Sequence, residues 1–330
     1  MPGGQERALR RRIRSVQSTK KITRAMELIS ASRIAKAQQK VAAARPYSEQ
    51  ITEVIRNLSA AGAGTGQALL TPRDEVRTVG VVAITADRGL AGGYNSSVLR
   101  LAEQAIRDAE AAGRQVRLYL VGRKGATYFR YRGRTPAGEF IGFSDNPTYE
   151  DARRIAELVV GDHEQGLVDQ VELAYTQFIS AGTQRPVMRR FVPLDAGEVP
   201  AADAPTGPTA DYEFEPSPAS ILERLLPRYV ESRLYAALLD AAASEHAARQ
   251  RAMKSATDNA GELITRLERQ MNRARQDAIT TEIIEIASGA EALNQMAAEG
   301  SDDHREAYFA DLDVEPFLPA HDHAHHPRIG

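Results

Sequence analysis

Two long stretches, one at each end of the chain, contain almost no helix-breaking residues. Between residues 5 and 61 the only Gly or Pro is Pro46. After Pro227, the only one as far as residue 288 is Gly261. Both stretches are rich in Ala, Arg, Glu, Gln and Leu, which favour helices. Such helices would be about 85 and 90 Å long, which exceeds the ordinary globular range and predicts a coiled coil.

Apolar residues in both stretches recur at steps of three and four, the spacing of a two-stranded coiled-coil seam. At the N-terminal end there are two runs, out of phase with one another: Leu9, Ile13 and Val16, then Ile22, Met26 and Ile29. At the C-terminal end the runs are Leu263, Leu267, Met271 and Ala274, then Ile279, Ile283, Ile286, Ala290 and Leu293. The seam is thin because it is also rich in Ala, Ser and Thr. We therefore expect an intramolecular antiparallel pair that another protein surrounds.

The middle of the chain loses this helical pattern. Continuous apolar runs with β-branched residues predict strands at 78–85, 115–121, 170–179 and 186–193. Helical spacing predicts helices at 96–112 and 149–160. This alternation indicates an α/β layer with a largely parallel sheet. The predicted fold class is α/β, with a long antiparallel coiled coil of the terminal helices and a central Rossmann-like domain.

A formal net charge of −2 hides segments of opposite sign. Residues 1–45 hold 12 Lys and Arg against two acids, whereas the Pro-rich stretch 195–218 holds six acids and no Lys or Arg. Residues 294–330 hold eight acids, two Arg and five of the seven His. The predicted divisions are an N-terminal helix at 1–61, the α/β domain at 76–194, an acidic loop at 195–218, a C-terminal helix at 219–293 and a disordered tail at 294–330.

Several chemistries are excluded by composition. The chain has no Cys, so disulfides, thiol catalysis and Cys-built metal sites are excluded. Its N-terminus lacks the apolar core of a secretory signal. No run approaches the roughly 20 apolar residues of a membrane helix.

A glycine-rich turn lies between the first predicted strand and helix, where α/β folds bind phosphates. The residues singled out in it are Asp87, Arg88, Gly89, Gly92, Gly93 and Asn95. Its spacing is G-x-x-G-G instead of G-x-G-x-x-G, and no Lys-Ser/Thr follows. The second strand also ends without an acid for a ribose. We therefore favour a structural turn, with Asn95 or Ser96 capping the helix, over a nucleotide site.

The remaining candidate sites, for a metal ion, for nucleic acid and for catalysis, are also better explained without such a function. The histidines at 321–326 could bind Zn²⁺ or Ni²⁺, but their acidic, aperiodic surroundings favour a disordered tail and no metal. The basic N-terminal stretch could bind nucleic acid, but it lacks aromatic residues, and an acidic protein surface is the favoured partner. His163 and His246 are isolated in helical contexts. The residues favour a mechanical or scaffolding protein without a cofactor, with a nucleotide-using enzyme and a nucleic-acid-binding coiled coil as alternatives.

Several motifs, in order over residues 5–293, resemble the gamma subunit of F-type ATP synthases. They are IRSV at 13–16, KITRAME at 21–27, SEHAAR at 244–249, ATDNA at 256–260, ARQDAIT at 274–280 and EIIEIASGA at 282–290. The glycine-rich turn also resembles that family's loop, with Ala91 where many members carry Cys. Members of the family commonly stop near residues 290–293, so the remaining tail is a departure.

The resemblance implies a function. The chain would be the central rotor shaft of a proton-translocating ATP synthase, with three alpha and three beta subunits, an epsilon subunit and a c-ring as partners. Proton flow would turn the c-ring, and the shaft would force the beta sites through open and closed states. The shaft would need no catalytic group. We expect it to lie at the cytoplasmic side of a bacterial cell membrane as a peripheral protein, without nucleic acid.

The resemblance also implies contact residues. Those facing the beta subunit would be Arg24, Met26, Arg275 and Gln276. Those forming a foot toward the c-ring or epsilon subunit would be Arg45, Pro46, Tyr47, Asp211, Tyr212 and Glu213. A Lys at Met26 would add a charge that could hold beta too tightly and uncouple rotation. Within the resemblance the glycine-rich turn is structural.

Overall fold

The computed structural model describes residues 3–60, 67–194 and 217–308. In order, the elements are α1 (Gly3–Ala60), β1 (Thr78–Ile84), α2 (Tyr94–Ala111), β2 (Gln115–Val121), α3 (Arg123–Tyr131), β3 (Gly138–Phe140), α4 (Tyr149–Glu164), β4 (Gln170–Phe178), β5 (Gln184–Val192) and α5 (Pro218–Tyr308). Two compact units are present: Val16–Leu263, and Met1–Ser15 together with Ile264–Gly330. Residues 61–66 and nearly all of the acidic loop at 195–218 lie outside the described residues.

Within the unit Val16–Leu263, five strands form one sheet in the order β3-β2-β1-β4-β5. β1 pairs in parallel with β2 and β4, β2 pairs in parallel with β3, and β5 runs antiparallel to β4. This confirms the Rossmann-like, largely parallel sheet. α3 and β3 were not predicted, because nine and three residues are too few for a periodic pattern to stand out.

One face of the sheet is covered by α2. The helix buries Val98, Ala102 and Ile106 against Val81 and Leu120 of the central strands. These positions recur at three and four along the helix, as an amphipathic helix on a sheet requires. The predicted helix at 96–112 is therefore confirmed, starting two residues earlier than expected.

The opposite face of the sheet is covered by α4 and by parts of both terminal helices. A single core cluster contains residues of all three helices and of the strands; among them are Ile55, Leu58, Ile155, Val159, Leu226, Val230, Val82 and Tyr119. Fully burying a Leu, Ile or Val side chain stabilises the fold by about 1.5–3 kcal/mol. Parts of both long helices are thus built into the α/β core in this unit.

Between these core residues and Leu263, the buried residues of α1 and α5 include small and polar side chains as well as Ile34 and Met253. Thr257 donates a hydrogen bond of 2.8 Å from its hydroxyl to that of Thr23, and Ser30 is also buried. Ile22 and Ile29 are 60% and 54% exposed. The predicted seam through these two isoleucines is therefore wrong: the buried face of α1 lies one residue further along, at Thr23 and Ser30.

The other unit contains the first residues of α1 and the last part of α5. Ile13 and Leu267 are buried, and Gln5 and Leu9 line a groove together with residues of α5 between Gln270 and Thr281. Low residue numbers in α1 thus meet high numbers in α5, which is the predicted antiparallel arrangement.

The end of α5 differs from the prediction. The helix continues to Tyr308, so the boundary expected at 293 lies inside it, and residues 309–330 of the predicted tail lie outside the described residues. The expected seam positions Ile279, Ile283, Ile286 and Leu293 are exposed.

We predict that Gly122→Ala destabilises the fold strongly. Gly122 has φ +87°, and a Cβ there would overlap the carbonyl oxygen of Thr85. The expected loss in the free energy of unfolding is about 3 kcal/mol, measured by urea denaturation. Gly113→Ala is the control, since it has φ +72° but no atom within 4 Å of its Cβ position, and should lose about 1 kcal/mol. Equal losses would show that the overlap at Gly122 is relieved without cost.

Candidate functional site

The glycine-rich turn after β1 is organised by the carboxylate of Asp87. This carboxylate accepts hydrogen bonds from the backbone amides of Arg123, Gly142 and Ser144, at 3.0, 2.9 and 3.0 Å. The three amides belong to the start of α3 and to the loop between β3 and α4. One side chain therefore holds together the segments that follow β1, β2 and β3.

The electrostatics favour the charged form of Asp87. Partial burial raises the pKa of its carboxyl, but the amide hydrogen bonds from Ser144, Gly142 and Arg123 outweigh this and leave the pKa below its ordinary value. Asp87 is thus a permanent anion at neutral pH that orders its loops.

The backbone of the turn explains its glycines. Gly92 has φ +54°, and Leu90 shares the left-handed region with φ +63°. Asn95 accepts a hydrogen bond from the amide of Ala86 across the turn, at 2.8 Å. The predicted cap by Asn95 or Ser96 is wrong, because α2 begins at Tyr94 and its N-cap is Gly93 without a side-chain hydrogen bond.

Helix α5 docks on this turn through a buried ion pair. Arg249 pairs with Glu245 one helical turn away and also donates to the carbonyl oxygen of Gly89, at 3.3 and 3.4 Å. The hydroxyl of Ser144 accepts from the amide of Asp87 at 2.8 Å and donates to Glu245 at 3.3 Å. These contacts connect Asp87, Gly89, Ser144, Glu245 and Arg249 and are here called the turn–α5 latch.

Two titratable groups of α5 near the turn are buried. Burial raises the pKa of Glu245, and the guanidinium of Arg249 offsets this only in part. Burial lowers the pKa of His246, whose Nε2 lies 2.9 Å from the carbonyl oxygen of Asp145. A carbonyl only accepts, so Nε2 donates and the neutral ring leaves Nδ1 as an acceptor.

Sequence reasoning missed the roles of Ser144, Glu245 and Arg249. A usable signal was present: polar and charged residues interrupt the Ala-rich runs at 241–243 and 247–248, whose alanines are almost all buried. Charged side chains in such a helix are buried only when they are paired. Without the fold, however, their partners on the loops cannot be identified.

A cavity of about 420 Å³ lies beside the turn. Its lining includes Gly92 and Gly93 of the turn and Thr176 of β4, together with Ala248 and Ala252 of α5. Within the described ranges no group of three or more His, Asp and Glu could hold a metal ion. Among those residues, no helix is long and apolar enough to cross a membrane.

The predicted beta-contact residues fall in both units, and each is described within its own. In the unit Val16–Leu263, Arg24 donates to both carboxylate oxygens of Glu27 at 2.9 Å, and Met26 is half-buried. In the other unit, Arg275 and Gln276 are exposed on α5. Neither has a hydrogen-bond partner among the described residues.

The predicted foot is only partly described. Pro46 lies inside α1, and the ring of Tyr47 is about half exposed. The side chain of Arg45 and all of Asp211, Tyr212 and Glu213 lie outside the described residues. Nearby, the hydroxyl of Tyr149 donates to Glu231 at 2.8 Å. The structure does not test the predicted role of the foot.

The architecture thus defines a class: proteins in which a Rossmann-like sheet domain incorporates two antiparallel terminal helices. A family model described as ATP synthase matches residues 5–293. The chain is 56% identical to the ATP synthase gamma chain of Frankia casuarinae, covering 88% of this chain and 98% of the relative. It is 49% identical to that of Streptomyces avermitilis, covering 91% and 99%. The chain belongs to the gamma-subunit family of bacterial F-type ATP synthases.

Solved structures share the fold. A chain of the Euglena gracilis mitochondrial ATP synthase, in a structure described as OSCP/F1/c-ring, has a TM-score of 0.59 at 16% identity, covering 96% of this chain and 100% of that one. A chain of the Tetrahymena thermophila enzyme, in a structure described as central stalk/c-ring, has a TM-score of 0.54 at 22% identity, covering 71% and 99%. The predicted fold class and the predicted function as an ATP synthase gamma-type rotor subunit are confirmed at the level of the family.

We predict that Asp87→Ala loosens the turn–α5 latch. Three amide hydrogen bonds are lost, and partial hydration of the freed amides limits the expected loss to about 2 kcal/mol of unfolding free energy. Urea denaturation at pH 7 measures it. Asp74→Ala removes an exposed carboxylate without a hydrogen bond among the described residues, and should change stability by less than about 0.5 kcal/mol. Equal effects of the two substitutions would contradict an anchoring role for Asp87.

We predict that His246 makes the chain sensitive to mild acid. In the folded chain the pKa of His246 lies below the ordinary value of 6.5, which the unfolded chain keeps. Below about pH 6.5 the unfolded chain therefore binds more protons, and the free energy of unfolding falls as the pH drops. Arg249 and Arg33 add to the effect of burial, and Asp145 opposes it. The melting temperature of the unmodified chain should be lower at pH 5.5 than at pH 7.5. In the His246→Gln variant the same change of pH should lower the melting temperature by less. An unchanged difference in the variant would exclude His246 as a source of the acid sensitivity.

Proposed function

We propose that this chain is the central rotor shaft of a bacterial proton-translocating ATP synthase, turning inside a ring of three alpha and three beta subunits. Family membership supports this role, as does the likeness to a chain of the Tetrahymena thermophila structure described as central stalk/c-ring. Rotation of the shaft would couple proton flow to ATP synthesis from ADP and phosphate.

The observation that carries the proposal is an apolar stripe at the end of α5. Its members follow the three-and-four spacing of one helix face: Ile279, Ile283, Ile286, Leu293 and Met296. Their exposure ranges from 49% to 73%. A large apolar stripe facing water marks a surface that another protein covers. A surrounding ring of subunits would bury it on all sides, which explains how so long a helix is stabilised.

Two polar residues on the same helix are suited to hold the beta subunits. Arg275 and Gln276 are exposed and offer several donors that no described residue occupies. An Arg fork binds carboxylates in a bidentate geometry that a Lys cannot reproduce. We assign both residues to contacts with beta-subunit loops.

Arg24 and Met26 on α1 are assigned to a second beta contact. Glu27 is nearly buried and receives one nitrogen of Arg24, which orients the guanidinium while its other donors remain available. Met26 beside it has a flexible side chain suited to sliding contact.

The coupling would require no catalytic group in the shaft. Each beta subunit has conformations that differ in nucleotide affinity, and a partner that contacts them unequally shifts their populations. As the asymmetric shaft turns, each beta site would be driven through these conformations in order. The chain supplies shape and charge and is the non-catalytic subunit of the complex.

The α/β domain is assigned to the membrane side of the complex. Arg45, Pro46, Tyr47 and the segment 211–213 would form its foot against the epsilon subunit and the c-ring. The chain would then be a peripheral protein at the cytoplasmic face of the cell membrane.

We predict that the double substitution Arg275→Ala with Gln276→Ala slows ATP synthesis. Losing charge-assisted hydrogen bonds to beta should lower the rate about tenfold in reconstituted vesicles. Stability of the isolated chain should not change, because both side chains are exposed. Arg269→Ala is the matched control, an exposed Arg on the same helix, and should retain the rate. A full rate in the double variant would remove these residues from the coupling contact.

The proposal as a whole is tested by purifying the native complex and counting subunits. One copy of this chain with three alpha and three beta chains is expected. A chain recovered only as free monomer would overturn the rotor role. Equilibrium dialysis of the isolated chain with ATP and NAD tests the alternative of a nucleotide site at the glycine-rich turn, and no binding is expected.

A further inference from the structure

The buried face of α1 is polar along one stretch of the unit Val16–Leu263. From position 16 to position 33, all of which the structure describes, three residues are buried: Thr23, Glu27 and Ser30. They recur at steps of four and three, the spacing of core positions in a two-stranded coiled coil, and the buried Ile34 and Ala37 continue it. We call Thr23, Glu27 and Ser30 the polar seam.

The large apolar residues of the same stretch lie on another face of α1. Ile22, Met26 and Ile29 each precede a residue of the polar seam by one position. Ile22 and Ile29 are 60% and 54% exposed, and Met26 is half-buried. One position corresponds to about 100° around a helix, so turning this stretch of α1 by about 100° would bury the three apolar side chains in place of the polar seam. Because apolar burial favours that turned orientation, the observed one needs a contact that opposes it.

Such a contact joins Thr23 to Thr257 of α5. Their hydroxyls lie 2.8 Å apart, and the two residues are 8% and 7% exposed. Glu27 and Ser30, by contrast, form their hydrogen bonds within α1. Thr23 is therefore the residue of the polar seam whose hydrogen bond to α5 is lost when α1 turns. A polar pair at core positions of two packed helices fixes their register at some cost in stability.

We propose that Thr23 and Thr257 are positioning residues for the contact with beta. Their hydrogen bond fixes the orientation of α1 about its own axis, and thereby keeps Arg24 and Met26 directed away from α5. This role rests on the proposed function, in which Arg24 and Met26 bind beta. In the same orientation Ile22 and Ile29 lie on either side of Met26 and add two large apolar side chains to the surface offered to beta.

Single cysteines report the orientation of α1 in the full chain, which has no Cys of its own. In the unmodified background a thiol at Ile29→Cys should react with a maleimide about tenfold faster than one at Ser30→Cys, because position 29 is exposed and position 30 is buried. The double substitution Thr23→Val with Thr257→Val removes both hydroxyls and keeps the side-chain shapes. In that background the order of the two reaction rates should reverse.

Stability separates positioning from a general structural role. Replacing both partners of a buried hydrogen bond by apolar groups of the same shape is close to neutral, so the double Val variant should unfold at the same urea concentration as the unmodified chain. ATP synthesis by the reconstituted complex should nevertheless fall about tenfold, since Arg24 loses its contact with beta.

Two further variants serve as controls. Thr257→Ser keeps the hydroxyl, so it should keep both the order of thiol reactivity and the rate of ATP synthesis. Thr52→Val removes a hydroxyl of α1 that donates to a carbonyl of its own helix at 2.6 Å, and should change neither.

An unchanged order of thiol reactivity in the double Val variant would overturn the proposal, whatever the rate of ATP synthesis. A reversed order with a full rate would also overturn it, because the orientation of α1 would then not matter to coupling, and Arg24 and Met26 would lose their assigned contact. Both outcomes leave the rotor role standing, since the subunit count of the native complex decides that role separately.

Discussion

The α/β unit depends on the attachment of α5 to the sheet, and the turn–α5 latch is its polar part. Arg249 and Glu245 are charged groups that would be costly to bury alone. They are buried as a pair, with a backbone carbonyl of the turn and the hydroxyl of Ser144 as further partners. Asp87 orders the loops that present these partners. The same polypeptide turn therefore closes the sheet domain and seats the helix.

The apolar part of that attachment explains how the long helices are stabilised. Near the sheet, α1 and α5 contribute Ile55, Leu58, Leu226 and Val230 to the domain core. Farther along, in the same unit, they meet through small and polar side chains such as Thr23 and Thr257. Such a contact adds little hydrophobic stabilisation per turn, so the burial against the sheet matters most. The exposed stripe at the end of α5 is instead available to other subunits.

Local patterns predicted most of the regular structure. β2 has the predicted bounds, and β1, β4 and α2 differ from theirs by one or two residues. These predictions succeeded because burial in the sheet layer sets the spacing of the apolar residues in each element. α3 and β3 were missed because they are short. The seam through Ile22 and Ile29 was the larger error: their apolarity suggested burial, whereas Thr23 and Ser30 beside them are the buried positions. Spacing alone does not reveal which face of a long helix meets its partner.

The sequence by itself determined the class of the molecule: two uninterrupted helical ends, a parallel α/β centre, unlike charged segments and a set of motifs shared with one family. Those features are local or periodic, so they can be recognised without coordinates. Only the tertiary structure decided which polar residues meet. The hydrogen bonds among Asp87, Gly89, Ser144, Glu245 and Arg249 join residues up to 160 positions apart, and they follow from how the chain returns to the sheet. The same holds for His246 and Asp145, 101 positions apart, whose hydrogen bond joins α5 to the loop between β3 and α4.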